Sequence, residues 1–435
     1  MNKNKFLTLL IVLATVSQGY AQLYMNPRSI SLAGAYATLA RGGDVIGWNP
    51  ANLGLYDNPK LNLNFGVIPL LPFPALQVSN DAISPWVLNK YFFTGEYLDD
   101  AAKDKFLSYF PDDGININPL VQMRFVNFSI DDWAFTLGAE VTGKVVAPKS
   151  LFHLALFGNE FGEAIDLSDT DLELQSVVTF GAAHGWEIRK IPYIDFNINN
   201  YVDKLAVGVA AKILVGAAYA GFDDLSATAT TYEDKVVLDG SVKGQYGIGG
   251  TGLAVDLGVA AIINKRMTAN LALNNVIGFV HWGIKDAKVV EYSIFTEIPS
   301  SDYDIADSLI EDSVKEDTTY AISGFSSNYP AYLLIGFEYR VLSNLHVMAN
   351  YRQYFSNDLA AATLPAFSVA GEYYPLPWLP VRAGMAVGGT DKFKWGFGSG
   401  LAFNHYHFDW GFAQIGGFFN HGKGIAFCFD QSLIF

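Results

Sequence analysis

From Ile425 to Phe435 the chain alternates in side-chain size. Ile425, Phe427, Phe429, Leu433 and Phe435 fall on one face; Gly424, Ala426, Cys428, Asp430 and Ser432 fall on the other. Successive side chains of a strand point to opposite faces. A strand that is greasy on one face and small or polar on the other suits a wall between lipid and a wet lumen. This restricts the fold to a closed barrel, because an open sheet edge cannot sit in hydrocarbon. Composition agrees. The chain is 51% hydrophobic, 14% aromatic and only 16% charged, where a soluble domain carries about 25% charge.

The alternation recurs along most of the sequence. Strands are expected at Leu61–Ile68, Leu120–Ile130, Trp133–Val146, Leu172–Ile188, Lys204–Tyr219, Leu253–Ile263 and Met267–Trp282. They continue at Ala331–Val341, Leu345–Tyr354, Phe367–Tyr374, Leu379–Val387, Phe393–Phe403, Tyr406–Ile415 and Ile425–Phe435. That makes about fourteen, an even number as single-chain bacterial barrels require. No stretch outside the first residues approaches 18 consecutive apolar residues, so no helix is expected to cross the membrane. The fold class is therefore all-β: a transmembrane antiparallel outer-membrane barrel of about 14 strands.

Connection lengths orient it. Long connections at 69–119, 147–171, 220–252, 283–330 and 355–366 alternate with tight turns such as Asp131-Asp132 and Asn404-His405; 189–203 is the exception. Outer-membrane barrels place short turns in the periplasm and long loops outside. Residues 1–21 read as a signal peptide, with Lys3 and Lys5 ahead of an apolar run and small Gly19 and Ala21 before the cut. The expected location is the outer membrane of a Gram-negative bacterium, with the lipid bilayer as first partner. The acidic balance, 43 acidic against 28 basic residues, argues against nucleic acid. The single cysteine cannot form an internal disulfide. No nucleophile elbow, P-loop or zinc-binding helix appears, so no enzyme activity, cofactor or metal is expected.

Residues 22–60 do not alternate. They contain Gly42-Gly43-Asp44 and Asn49-Pro50-Ala51 ahead of the first strand. With Ser29–Tyr36 and the C-terminal aromatic, these elements resemble the FadL-like superfamily. It includes long-chain fatty acid transporters and the PorV-type proteins of type IX secretion. The stretches Asn89–Phe92, Pro111–Gly114 and Phe157–Glu160 are more similar to a poorly characterised branch of it. The resemblance implies a fourteen-stranded barrel, 61–435, with residues 22–60 folded into the lumen as a hatch. Gly42, Gly43, Asp44, Asn49, Pro50 and Ala51 would be its working residues. It also implies passive uptake of a hydrophobic small molecule such as a long-chain fatty acid, or alternatively a scaffold bound to secretion-system proteins.

Candidate contact residues follow. The first long connection carries Phe73, Trp86, Tyr91, Phe92, Phe93, Phe106 and Phe110. They either form an apolar groove that collects substrate or pack as a small core capping the mouth. Helical spacing is expected at Asp99–Tyr109, and Ser79-Asn80-Asp81 as a cap. The lumen face carries Lys144, Lys212, Glu338, Arg340, Glu372, Arg382 and Lys394, either as ion pairs that fill the interior or as a carboxylate contact. His405, His407 and Asp409 share a face of the penultimate strand and line the lumen, or form an acid–base pair.

Overall fold

The computed structural model describes residues 25–65, 75–94, 98–158, 160–189, 202–299, 314–359 and 361–435. The expected signal peptide and Phe73 lie outside the described residues.

Fourteen antiparallel strands close into one barrel. The first, β1, runs through Leu61–Phe65 and Ala75–Ser79; both pieces pair with the second and the last strand. Then come β2 (Leu120–Ile130), β3 (Trp133–Ala147), β4 (Asp171–Glu187), β5 (Lys204–Thr231) and β6 (Lys235–Ile263). Strand β7 spans Met267–Asn274 and Gly278–Pro299, and β8 spans Val314–Ala321, Phe325–Asn328 and Tyr332–Leu342. The wall continues through β9 (Leu345–Tyr354), β10 (Ala366–Leu376), β11 (Leu379–Gly388), β12 (Lys392–Ala402), β13 (Tyr406–Ile415) and β14 (Gly424–Ile434). Closure is sealed at the chain's last residue. The Leu61 amide donates to the Phe435 carbonyl at 3.0 Å, and the Phe435 amide donates back at 2.8 Å.

Alternation sets what faces where. On β8, Ile335, Phe337 and Tyr339 are exposed, while Gly336 and Glu338 between them are buried. On β5, Ile213 and Val215 face outward and Ala206, Ala210 and Lys212 face inward. Outside, near the short turns of β2 to β4, rings stack in a band. Trp133 and His184 lie 4.3 Å apart, His184 and Trp186 4.7 Å, and Phe128 and Phe135 5.1 Å. Such aromatic girdles mark a membrane–water boundary.

The stretches 220–252 and 283–330, expected as loops, are mostly strand. Strands β5 and β6 stay paired out to Thr231↔Val236, and β7 pairs with β6 as far as Pro299↔Lys235. These extensions form one sheet projecting past the barrel. Most of their residues are half-buried or exposed, with Ala287, Val289, Thr296 and Ile298 buried, and Gly, Asp and Thr interrupt the apolar alternation in sequence.

The first long connection folds as a unit. Helices α2 (Pro85–Leu88) and α3 (Asp100–Leu107) are capped by Ser84 and Asp99, not by Ser79. Asn80 instead turns the chain by accepting from the amides of Ala82 and Ile83. Together with a later helix, Lys149–Phe157, they enclose an apolar core of their own.

Candidate functional site: the filled lumen

Residues 25–55 lie inside the barrel and are nearly all buried. None of them pairs with a wall strand; they are held by packing and by side-chain bonds.

The Asn49-Pro50-Ala51 turn explains its own composition. Asn49 caps a short 3-10 helix, Pro50–Gly54, its Oδ1 accepting from the Ala51 amide at 3.0 Å. Pro50 occupies the first helical position, where a missing N–H costs nothing. The Asn49 amide nitrogen donates to the carbonyls of Val259 (3.0 Å) and Leu271 (3.3 Å), register partners on β6 and β7. Facing the turn are Gly185, Gly208 and Gly258, which are register partners across β4, β5 and β6. A Cβ on Gly208 would sit 2.3 Å from the Pro50 carbonyl carbon, and one on Gly258 2.0 Å from Asn49 Oδ1. The three glycines make a flat bed on which backbone lies against backbone. Trp48 is fully buried beside it, its ring edge-on to Tyr36 at 5.1 Å.

The earlier part of the segment is held by charge. Helix α1 (Pro27–Ser31) opens with an Asn26–Ser29 capping box. Gly42 and Gly43 press against β1 and β2, leaving no room for a side chain beside Asn62 and Asn127, and present Asp44. The Asp44 carboxylate accepts from five donors: Asn26 (2.7 Å), Tyr36 (3.0 Å), Asn64 (3.1 Å), Asn127 (2.9 Å) and Arg124. Two of these lie on the segment and three on the wall. Arg28 reaches both oxygens of Glu372 at 3.1 Å, Glu372 accepts from Arg382 at 2.6 Å, and Arg382 donates to Asp409. That chain joins the segment to β10, β11 and β13. Arg41 grips Asp57 through two bonds of 2.9 Å, and Arg340 of β8 joins the same carboxylate at 3.1 Å. Burial alone would raise the Asp57 carboxyl, but Arg41 and Arg340 outweigh it and hold the group below the usual carboxylate range.

Among the described residues, four cavities bordering this part stand out. The largest, about 690 Å³, opens at the short-turn end between the segment and β8 to β10; another of about 210 Å³ is lined by Arg28, Asp44, His407, Asp409 and Asp430 among others. Each of the four is bordered by residues of 25–44, and none by residues of 45–55. Nearer the long connections a second layer fills the lumen: Trp282, Tyr329, Val177, Leu214 and Val280. There Tyr329 donates to Glu140 at 2.7 Å.

Of the other sequence candidates, Tyr91, Phe92, Phe106 and Phe110 are brought together, but on one another. Phe106 meets Phe92 and Phe110 at 5.2 Å each and Tyr91 at 5.6 Å, all in the buried core of the first connection. Trp86 is partly buried against His421, and Phe93 is exposed. His407 and Asp409 face the lumen. His405 does not join them: it sits in the turn before β13, exposed, stacked on Phe435 at 4.8 Å. The strand begins at Tyr406, at its expected bound, so His405 falls just outside it. Sequence reasoning missed Asn26, Arg28, Asn64, Arg124 and Asp256. Asp256 binds Lys212 at 2.7 Å and accepts from the Gly47 amide at 3.2 Å. Among the described residues no group of three or more His, Cys, Asp or Glu side chains is arranged to hold a metal ion.

Sequence comparison matches one family, over residues 62–247 and 239–409, which is most of the barrel. The chain belongs to this family of unknown function (DUF5723). No curated protein matches the DUF5723 chain. Its fold is similar to solved outer-membrane channels. The toluene transporter TodX of P. putida aligns at a TM-score of 0.50 and 12% identity, over 95% of this chain and 99% of that one. A TodX deltaS2S3 mutant, a monoaromatic hydrocarbon channel, aligns at 0.52 and 11%, over 94% and 99%. A Pseudomonas aeruginosa FadL homologue aligns at 0.49 and 12%, over 96% and 100%. At these identities the likeness concerns the fold, which for this DUF5723 member is an outer-membrane-type barrel.

Proposed function

We propose that the protein is a non-enzymatic outer-membrane channel for passive uptake of hydrophobic small molecules such as long-chain fatty acids, gated by residues 22–60 acting as a hatch. The observation that carries this reading is the way the lumen is filled. The barrel closes without the segment, and the segment makes no strand pairing with it, so it can shift while every ladder bond of the wall stays intact. Fold similarity to channels for toluene and monoaromatic hydrocarbons supports the class of passenger. The first connection, with Phe93 and Trp86 at its surface, is the proposed landing site. The core of Tyr91, Phe92, Phe106 and Phe110 keeps that unit rigid.

A disulfide tests the hatch. A Cβ on Gly336 would lie 3.1 Å from the Ala37 Cβ, just under the roughly 3.5–4.5 Å of a disulfide, and 2.4 Å from Asn270 Oδ1, so Asn270→Ala is added to make room. Ala37→Cys with Gly336→Cys, in a Cys428→Ala background, pins the segment to β8. Uptake of a radiolabelled long-chain fatty acid into proteoliposomes should fall to background on oxidation and recover on reduction. Full uptake with the bond formed would refute gating.

A second reading, a scaffold for secretion-system proteins, draws on the projecting sheet. Its described side chains, in 220–252, 283–299 and 318–330, include 8 acidic and 4 basic residues, a net charge of −4. Three of its lysines are engaged: Lys235 with Glu297 at 2.9 Å, Lys243 with Glu291, and Lys288 with Asp286 at 3.0 Å. Such a surface suits a basic protein partner. Stoichiometric, salt-sensitive co-purification of a secretion component, with no fatty acid uptake, would favour this role over the channel.

A further inference from the structure

The 690 Å³ chamber at the short-turn end is larger than the segment's packing requires, and its walls come from two bodies. Arg28 and Arg41 belong to the lumenal segment; Arg340, Glu338 and Glu372 belong to the barrel. The hydrogen-bonding capacity left open on these residues is mostly donor. Arg28 spends one nitrogen, Nη2, on Glu372, and its Nε is buried without a partner. Arg340 uses Nε on Glu338 (3.4 Å) and Nη2 on Asp57 (3.1 Å), so its Nη1 is open among the described residues. The open acceptor is Glu338 Oε2, also buried without a partner. A buried guanidinium nitrogen with no acceptor is costly, and guanidinium geometry matches the oxygens of carboxylate and phosphate.

We propose that this chamber binds a small water-soluble oxyanion between Arg28 and Arg340, and that its binding holds the hatch shut. Hydrogen phosphate offers oxygens to both arginines, whose side chains stay 27% and 32% exposed, while the buried Glu338 lies out of its reach. Asp57, Glu338 and Glu372 already offset the cations, so binding is weak and selective for ligands that reach both arginines. The direction of the effect follows from where the arginines sit. Both line the chamber only while the segment is docked, so a ligand that needs both stabilises the docked state by mass action. This second half of the proposal rests on the hatch reading; the site itself does not.

The test uses full-length protein in detergent and inorganic phosphate at constant ionic strength, followed by isothermal titration calorimetry. One phosphate should bind per chain. Arg340→Gln should weaken binding about tenfold, the loss of one charge-assisted hydrogen bond. Arg340→Lys should recover part of it, separating charge from misfolding. Acetate should displace phosphate. Displacement by a long-chain carboxylate alone would overturn the free-anion site and assign the chamber to the head of a passenger. In planar bilayers, phosphate on the short-turn side should reduce channel opening. Phosphate binding that leaves opening unchanged would overturn the closing role. Absence of phosphate binding, while the Ala37–Gly336 disulfide still blocks uptake, would overturn the site and leave the hatch standing.

Discussion

The two halves of the lumenal segment are held by different physics. Residues 45–55 lie on a glycine bed, with Trp48 buried and Asn49 bonded to backbone carbonyls of two strands. None of these residues is itself charged, their contact with charge being the Gly47 amide that donates to Asp256, and none of the four cavities touches them. Residues 25–44 hang on three charged ties, Arg28–Glu372, Arg41–Asp57 and Asp44–Arg124, with a cavity beside each. Packing at close approach is short-ranged and all-or-none. Charged bonds beside water-sized cavities can be exchanged for bonds to water at modest cost. Under the proposed hatch, 45–55 would be the anchor and 25–44 the part that moves. Asn49 to Ala51, expected among the working residues of the hatch, belong to this anchor.

The largest effect should come from the anchor. Trp48→Ala removes a fully buried ring and should cost about 3–5 kcal/mol of unfolding free energy, measured by denaturant titration in detergent. Gly208→Ala drives a methyl into the Pro50–Ala51 backbone and should cost about 1–3 kcal/mol by the same measurement. If either variant proved as stable as the parent, the anchor would not be the tight half.

On the moving half, stability should change less and gating more. Asp44→Asn keeps the shape but turns the bonds of a carboxylate into those of an amide. Charge-assisted hydrogen bonds are worth about 1.5–3 kcal/mol each, so opening in planar bilayers should rise at least roughly tenfold. Unchanged opening would remove Asp44 as a latch.

Acid provides a finer probe. Because Arg41 and Arg340 depress the Asp57 carboxyl, its tie is complete above the unfolded value of about 4. It is lost only as pH falls through the lower folded value. Opening should therefore be flat from neutral pH down to about 4 and rise below it, and Asp57→Asn should abolish that acid step. A step near neutral pH would contradict the assignment. The smallest effect belongs outside the lumen. Lys103→Ala, which breaks a surface pair with Asp100, should change stability by less than about 0.5 kcal/mol.

Much of the barrel was legible because a lipid-facing wall enforces a period of two. Where the wall leaves the membrane that pressure ends, so residues 220–231 of β5 and 283–299 of β7 look like loops in sequence. The Asn-Pro-Ala turn was visible as a motif, but not its bed, since Gly185, Gly208 and Gly258 become neighbours only through strand register. The charged ties were invisible for the same reason: Arg28 and Glu372 are 344 positions apart, and Asp44 and Arg124 are 80 apart. The aromatic run of the first connection announced an apolar cluster. Whether the rings face a passenger or one another is decided by helix packing that spacing does not encode.

Amide hydrogen exchange along residues 25–55 of the closed protein tests the division most directly. The account predicts that amides of 28–44 exchange through frequent partial opening, while those of 47–55 are protected almost to the level of the barrel strands. Equal protection across the segment, or faster exchange in 47–55 than in 28–44, would contradict it.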